Sequence, residues 1–193
     1  MTKTPTIADR VEALEALLTQ KGIVTSEQLD SIVARYADQV GPLNGARLIA
    51  KAWTDPEFKA RLLDDATSVV HEWKLEGGQV DRLIVKENTR IIHNVVVCTL
   101  CSCYPWAILG LPPKWYKSPE YRSRIVVEPR TVLREMGLQL DESTEIRVWD
   151  SSAEVRYLVL PEQPPKTVGL PQGKLAALIS RDAMIGVARV YPV

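Results

Sequence analysis

Apolar residues recur at helical spacing over the first forty positions of the chain. Ile7, Val11, Leu14 and Leu18 form one stripe that stops at Gly22. The three-to-four-residue period predicts an amphipathic helix, and glycine just past the last apolar position is a common helix end. Thr25 with Gln28 resembles a capping box, and Leu29, Ile32, Val33, Tyr36 and Val40 predict a second helix closed by Gly41-Pro42. Both stripes are narrow. The pair therefore reads either as a helical hairpin packed on its own domain or as an arm that packs on another subunit.

Residues 44–53 are Ala-rich and helical in character, and Asp55-Pro56 supplies an N-cap followed by proline at the first helical position. Phe58, Leu62, Ala66, Val69 and Trp73 then predict one continuous helical face ending before Gly77-Gly78. The pattern changes at residues 83–85 and 91–97. These are strands, the second so uninterruptedly apolar that it is expected to be buried on both faces. Pro105 and Pro112-Pro113 prevent a regular continuation. Ser118-Pro119 and Pro129 each open a short helix, the latter carrying Val132, Leu133 and Met136 and ending at Gly137. Residues 146–149 and 155–160 alternate as two strands facing one core, separated by a short turn at Ser151-Ser152. A short helix near Leu175 to Ile179 and a last apolar segment at residues 185–187 complete the chain.

With 24 Lys+Arg against 24 Asp+Glu the formal charge is zero, so the basic excess that nucleic-acid binding requires is missing. No apolar run approaches the ~20 residues of a membrane span, and the first residues are not followed by a signal-like apolar segment. The expectation is a cytoplasmic protein with neither nucleic acid nor membrane as partner.

The cysteines carry the most specific chemical signal in the chain. All three cysteines of the chain lie within six residues, as Cys98, Cys101 and Cys103, at the end of the second strand. An odd, clustered set does not suit a disulfide framework. A C-x-x-C redox site at Cys98 to Cys101 lacks the βαβ surroundings expected of it. Thiolates favour soft or late transition metals. Structural zinc and iron–sulfur clusters usually take four protein ligands, and this chain has no fourth cysteine. Of the two histidines, His71 and His93, the second lies in the strand and reads as a packed or hydrogen-bonded residue. The spacing admits another arrangement. If Cys101 and Cys103 bind one ion through sulfur, the peptide nitrogens of Ser102 and Cys103 fall beside it and close fused six- and five-membered chelate rings. Displacing amide protons requires a strongly Lewis-acidic ion, which favours a trivalent metal. Cys98 would cap the ring, leaving a sixth position open to water or substrate.

The string from Cys98 through Cys101-Ser102-Cys103-Tyr104-Pro105-Trp106 resembles the metal claw of nitrile hydratase α subunits. The likeness continues through Leu109-Gly110-Leu111-Pro112-Pro113, Trp115-Tyr116-Lys117, Glu128-Pro129-Arg130 and residues 146–157 to Met184-Ile185-Gly186-Val187. Thr99 and Tyr104 resemble the cobalt branch. The resemblance implies an α+β fold, with an N-terminal helical arm over residues 1–41 followed by a layered α/β/β/α globular domain over 42–193 that carries the cysteine metal claw. It implies non-corrin cobalt(III), with iron(III) the less favoured ion, bound by Cys98, Cys101, Ser102 and Cys103. Cys101 and Cys103 would be oxidised to sulfinate and sulfenate. It further implies catalytic roles for Cys103 and Gln79 and a supporting charged network of Asp150, Glu154 and Arg156. Strand alternation alone puts Arg156 opposite Val155 and Tyr157 and argues for its exposure. Trp106 is read as a wall of the substrate pocket or as ordinary core. The partners implied are a β subunit, in an αβ heterodimer or its dimer, a cobalt-insertion activator protein and a small nitrile substrate. Three departures stand out: Ala66 where the family usually has glycine, Val127 where arginine commonly precedes Glu128, and the flanks of Gln79.

Three functions follow: nitrile hydration, thiocyanate hydrolysis on the same kind of centre, and non-catalytic metal carriage or assembly with unoxidised cysteines. Tyr104-Pro105-Trp106 leans toward the first.

Overall fold

The computed structural model describes residues 5–38, 41–75, 82–101 and 103–192. The chain divides into two compact units, Met1–Asp38 and Gln39–Val193. The first contains helices α1 (Ile7–Gln20) and α2 (Ser26–Asp38). Thr6 and Asp9 cap α1 reciprocally. The predicted capping box at Thr25 and Gln28 is also present, with Thr25 N–H donating to Gln28 Oε1 at 2.9 Å and Gln28 N–H to Thr25 Oγ1 at 3.2 Å. Helix α1 buries none of its residues, and Ile7, Val11, Leu14, Ile32 and Val33 are exposed. Helix α1 is thus defined by its cap and period rather than by a buried face.

In the second unit, proline at the first turn starts four of the described α-helices: α3 (Pro42–Thr54), α4 (Pro56–Asp64) and, further on, the helices opened by Ser118 and by Glu128. Gly41-Pro42 opens α3, and α2 is described as far as Asp38. The single helix expected from Phe58 to Trp73 is two, α4 and α5 (Ala66–Glu72). Asp65 breaks it: its backbone leaves the helical region (φ −137°, ψ 77°) and its side chain accepts from Ser68 N–H at 3.0 Å, so it serves as the N-cap of α5. The apolar face survives the break, because Phe58, Leu62, Ala66 and Val69 are all buried.

Strands β1 (Leu83–Glu87) and β2 (Ile92–Val97) are followed by α6 (Trp106–Leu109), α7 (Pro119–Arg124) and α8 (Pro129–Glu135). The remaining elements are β3 (Glu145–Asp150), β4 (Arg156–Leu160), α9 (Gln172–Leu178) and α10 (Arg181–Ile185). The turn at Ser151-Ser152 does not join a hairpin. Strand β3 pairs in parallel with β2, and β4 in parallel with β1, so the two consecutive strands lie in different sheets. Both strands form where the pattern predicts them, but the period says nothing about which strand is the neighbour.

The sheets meet where β2 packs on β4; helices α4 and α5 cover β1, α8 covers β3, and α10 packs on β4 and β2. The fold is α+β, as expected. All of β2 from His93 to Val97 is buried, which explains its unbroken apolar run. His93 Nε2–H donates to the Gly186 carbonyl at 2.7 Å, while Asn88 Oδ1 accepts from Asn94 N–H at 2.7 Å. Burial holds the His93 pKa below its ordinary value, so the ring is neutral. Gly186 has φ +94°, and a Cβ there would lie 2.0 Å from the Asn94 carbonyl oxygen. Helix α10 can end against β2 only because this residue has no side chain.

Candidate metal centre

Strand β2 delivers the cysteine loop directly: Val97 is its last residue and Cys98 the next. Tyr121, from α7, donates its hydroxyl to the Val96 carbonyl at 2.7 Å, and Ser151 N–H donates to the Val97 carbonyl at 2.7 Å. Both anchor the chain just before the turn. Tyr116 reaches the far side of the loop, donating to the Cys103 carbonyl at 3.0 Å. Burial raises the pKa of both tyrosines, so each stays a protonated donor. Tyr104, Trp115, Tyr116 and Tyr121 stack edge to face or tilted around this anchor, with ring centroids 4.9 to 6.0 Å apart.

Within the loop the three sulfurs converge. Cys98 Sγ lies 3.3 Å from Cys101 Sγ, which lies 3.1 Å from Cys103 Sγ, and all three fall within 4.8 Å of one another. Cys101 N–H donates to Cys98 Sγ at 3.3 Å, which tightens the turn. Cys98 and Cys103 are buried and Cys101 is exposed. The Cys103 thiol is pushed up to about 12, first by burial and then by the neighbouring Cys101 and Cys98 sulfurs, with Arg156 opposing. Three anionic sulfurs at these distances repel one another, and a cation among them removes the penalty. The donor set therefore fits one soft or late transition-metal ion shared by all three cysteines.

Among the other residues singled out from sequence, Ser102 and Gln79 lie outside the described residues. Trp106 opens α6, is half-buried against the core and has a buried indole N–H without a protein partner. Asp150 and Glu154 are exposed, whereas Arg156 is 6% exposed. Among the described residues no ion pair joins these three. Asp150 instead accepts from Thr99 N–H at 2.9 Å and Thr99 Oγ1–H at 2.6 Å. Arg156 Nη1–H donates to the Ser152 carbonyl. The carboxylate thus fastens the residue after Cys98, and the arginine fastens the turn between β3 and β4. Alternation misjudged Arg156 because β4 is covered on both faces, as the burial of the successive residues Leu158, Val159 and Leu160 shows. Val127 is exposed, and the neighbouring Glu128 is paired with Arg124 at 2.6 Å.

The family model described as nitrile hydratase, alpha chain, matches residues 5–188. The chain belongs to the nitrile hydratase α-chain family. It is 54% identical over 185 residues to a nitrile hydratase subunit alpha from a Rhodococcus species, covering 95% of this chain and 93% of that one. It is 53% identical to the low-molecular weight cobalt-containing nitrile hydratase subunit alpha of Rhodococcus rhodochrous, over 94% of this chain and 88% of that one. The thiocyanate hydrolase subunit gamma of Thiobacillus thioparus is also similar, at 42% identity over 93% of this chain and 78% of that one. A mutant of the Fe-type nitrile hydratase from Comamonas testosteroni Ni1 matches in structure with a TM-score of 0.88 at 43% identity, over 98% of this chain and 92% of that one.

The tyrosine anchors and the Thr99–Asp150 contact were not singled out as such from sequence. Thr99 and Asp150 are 51 residues apart, and only the parallel register that sets Val97 beside Asp150 brings them together. Such a contact leaves no local signal.

Proposed function

We propose that this chain is the metal-bearing α subunit of a cobalt-type nitrile hydratase, which adds water across a nitrile to give an amide. The observation that carries the reading is the convergence of three sulfurs within 4.8 Å on a loop anchored to a buried strand, in a chain about half identical to α subunits named as cobalt-containing.

Cys98, Cys101 and Cys103 would hold the ion through sulfur, with the amide nitrogens of Ser102 and Cys103 completing the set. Bound there, cobalt(III) supplies Lewis acidity toward the nitrile nitrogen. The chain's own residues do the rest. Cys98 is buried, and Cys101 and Cys103 would carry the sulfinate and sulfenate oxygens that the family resemblance implies. The Cys103 oxygen would either attack the nitrile carbon, with water then releasing the product and restoring the sulfenate, or take the proton of a water that attacks instead. Trp106 walls the substrate pocket and Gln79 orients the substrate or water. Asp150, through Thr99, and Arg156, through Ser152, hold the loop from behind.

The α-chain family membership brings with it a β subunit and a nitrile substrate, and the chain alone is expected to be inactive. An activator protein that inserts cobalt and a cytoplasmic location belong to the same reading. Among the described residues no helix is long and apolar enough to cross a membrane.

Thiocyanate hydrolysis is the second reading, favoured by the similarity to a thiocyanate hydrolase subunit. The lower identity of that relative and the sequence Tyr104-Pro105-Trp106 place it behind nitrile hydration. The test is to co-express the chain with its β partner in cobalt medium and assay a panel of nitriles and thiocyanate. Amide formation with no turnover of thiocyanate is expected. Thiocyanate turnover without amide formation would reverse the assignment, and activity toward neither would favour a metal-carrier role.

A further inference from the structure

Helix α7 reaches the cysteine loop through a second side chain besides Tyr121. Arg122 Nη1–H donates to the carbonyl oxygen of Cys101 at 2.9 Å. Its guanidinium is half-buried, and its Nε–H is buried without a protein partner. Arg124, two residues on, is committed elsewhere: it pairs with Glu128 at 2.6 Å and with Glu135 at 2.7 Å.

The oxygen that Arg122 contacts belongs to the peptide between Cys101 and Ser102, whose nitrogen is one of the proposed ligands. A charged donor on a carbonyl oxygen draws electron density along the peptide, away from nitrogen, and such hydrogen bonds are about twice as strong as neutral ones. The cation also lies beside a loop that carries three sulfur ligands. Cys98 and Cys103 are held by burial, but Cys101 is exposed, so its corner of the loop depends on directed bonds.

We propose that Arg122 is a positioning residue for the metal loop, fixing the Cys101 carbonyl and tuning the donor strength of the adjoining amide nitrogen. This rests on the cobalt reading of the loop. Outer contacts of this kind typically change metal affinity by about 10–100-fold when removed.

The wild type, Arg122→Ala, Arg122→Lys and Arg124→Ala are each purified with the β subunit from cobalt medium. Cobalt per α chain, the rate of cobalt loss to a chelator, the sulfur-to-cobalt charge-transfer absorption and the melting temperature are then compared. Arg122→Ala is expected to lose cobalt affinity by about 10–100-fold and to shift the absorption band. Arg122→Lys is expected to restore the cobalt content and part of the band. Arg124→Ala is expected to lower the melting temperature while leaving the band in place. If Arg122→Ala does not accumulate, Arg122→Gln replaces it, and a shifted band is expected there also. Wild-type cobalt affinity and an unmoved band in Arg122→Ala, or in Arg122→Gln, would overturn the positioning role and leave the cobalt reading standing. A wild-type complex that binds no cobalt would overturn that reading and this inference together.

Discussion

Removing the Arg156 side chain should destabilise the αβ complex by about 1.5–3 kcal/mol, the worth of a hydrogen bond from a charged group, here to the Ser152 carbonyl. A broken buried ion pair would cost about 3–5 kcal/mol, but Arg156 bonds the Ser152 carbonyl and neither Asp150 nor Glu154 pairs with it. Denaturant unfolding of Arg156→Ala beside wild type checks the figure. His93 gives a prediction of pH dependence. The fold holds the ring neutral and below its ordinary value of 6.5, so on acidification the unfolded chain takes up a proton that the folded chain refuses. Its contribution to stability is fully present above 6.5 and is lost as pH falls from there toward the depressed folded value. Unfolding midpoints measured at neutral pH and at about 5.5 should fall more for wild type than for His93→Gln. At this scale the sequence was informative about identity and poor about contact. The three cysteines were legible because their types and spacing have few chemical uses. The bonds of Arg122, Thr99 and Tyr121 were not, because each joins residues more than twenty positions apart.

The joint between β2 and α10 depends on one glycine. Gly186→Ala puts a Cβ 2.0 Å from the Asn94 carbonyl oxygen at a φ of +94°. The left-handed conformation and the overlap together should cost about 2–5 kcal/mol, read as a lowered melting temperature and poor accumulation of the complex. Elements were the most legible level of the fold. Proline and cap residues marked the starts of α4, α7 and α8, and the apolar run of β2 announced its burial. Asp65 was missed because an aspartate inside an apolar period looks like an exposed helical residue until its side chain is seen to cap Ser68. The partners of β3 and β4 were missed for a different reason: side-chain alternation specifies a face, while parallel pairing across intervening helices is set by long-range packing.

In the molecule as a whole, a scaffold holds the cysteine loop from several sides. Strand β2 and the tyrosines fix its base, Asp150 fixes Thr99, and Arg122 fixes the outer corner at Cys101. The central claim is that Cys98, Cys101 and Cys103 form one metal site and not three independent thiols. It is tested most directly by cobalt analysis of the αβ complex purified from cobalt medium, for wild type and for Cys98→Ala, Cys101→Ala and Cys103→Ala. The account predicts one tightly held cobalt per α chain in the wild type and loss of stoichiometric cobalt in every variant, since each removes a member of one fused chelate. A full complement of cobalt in any single variant would contradict it.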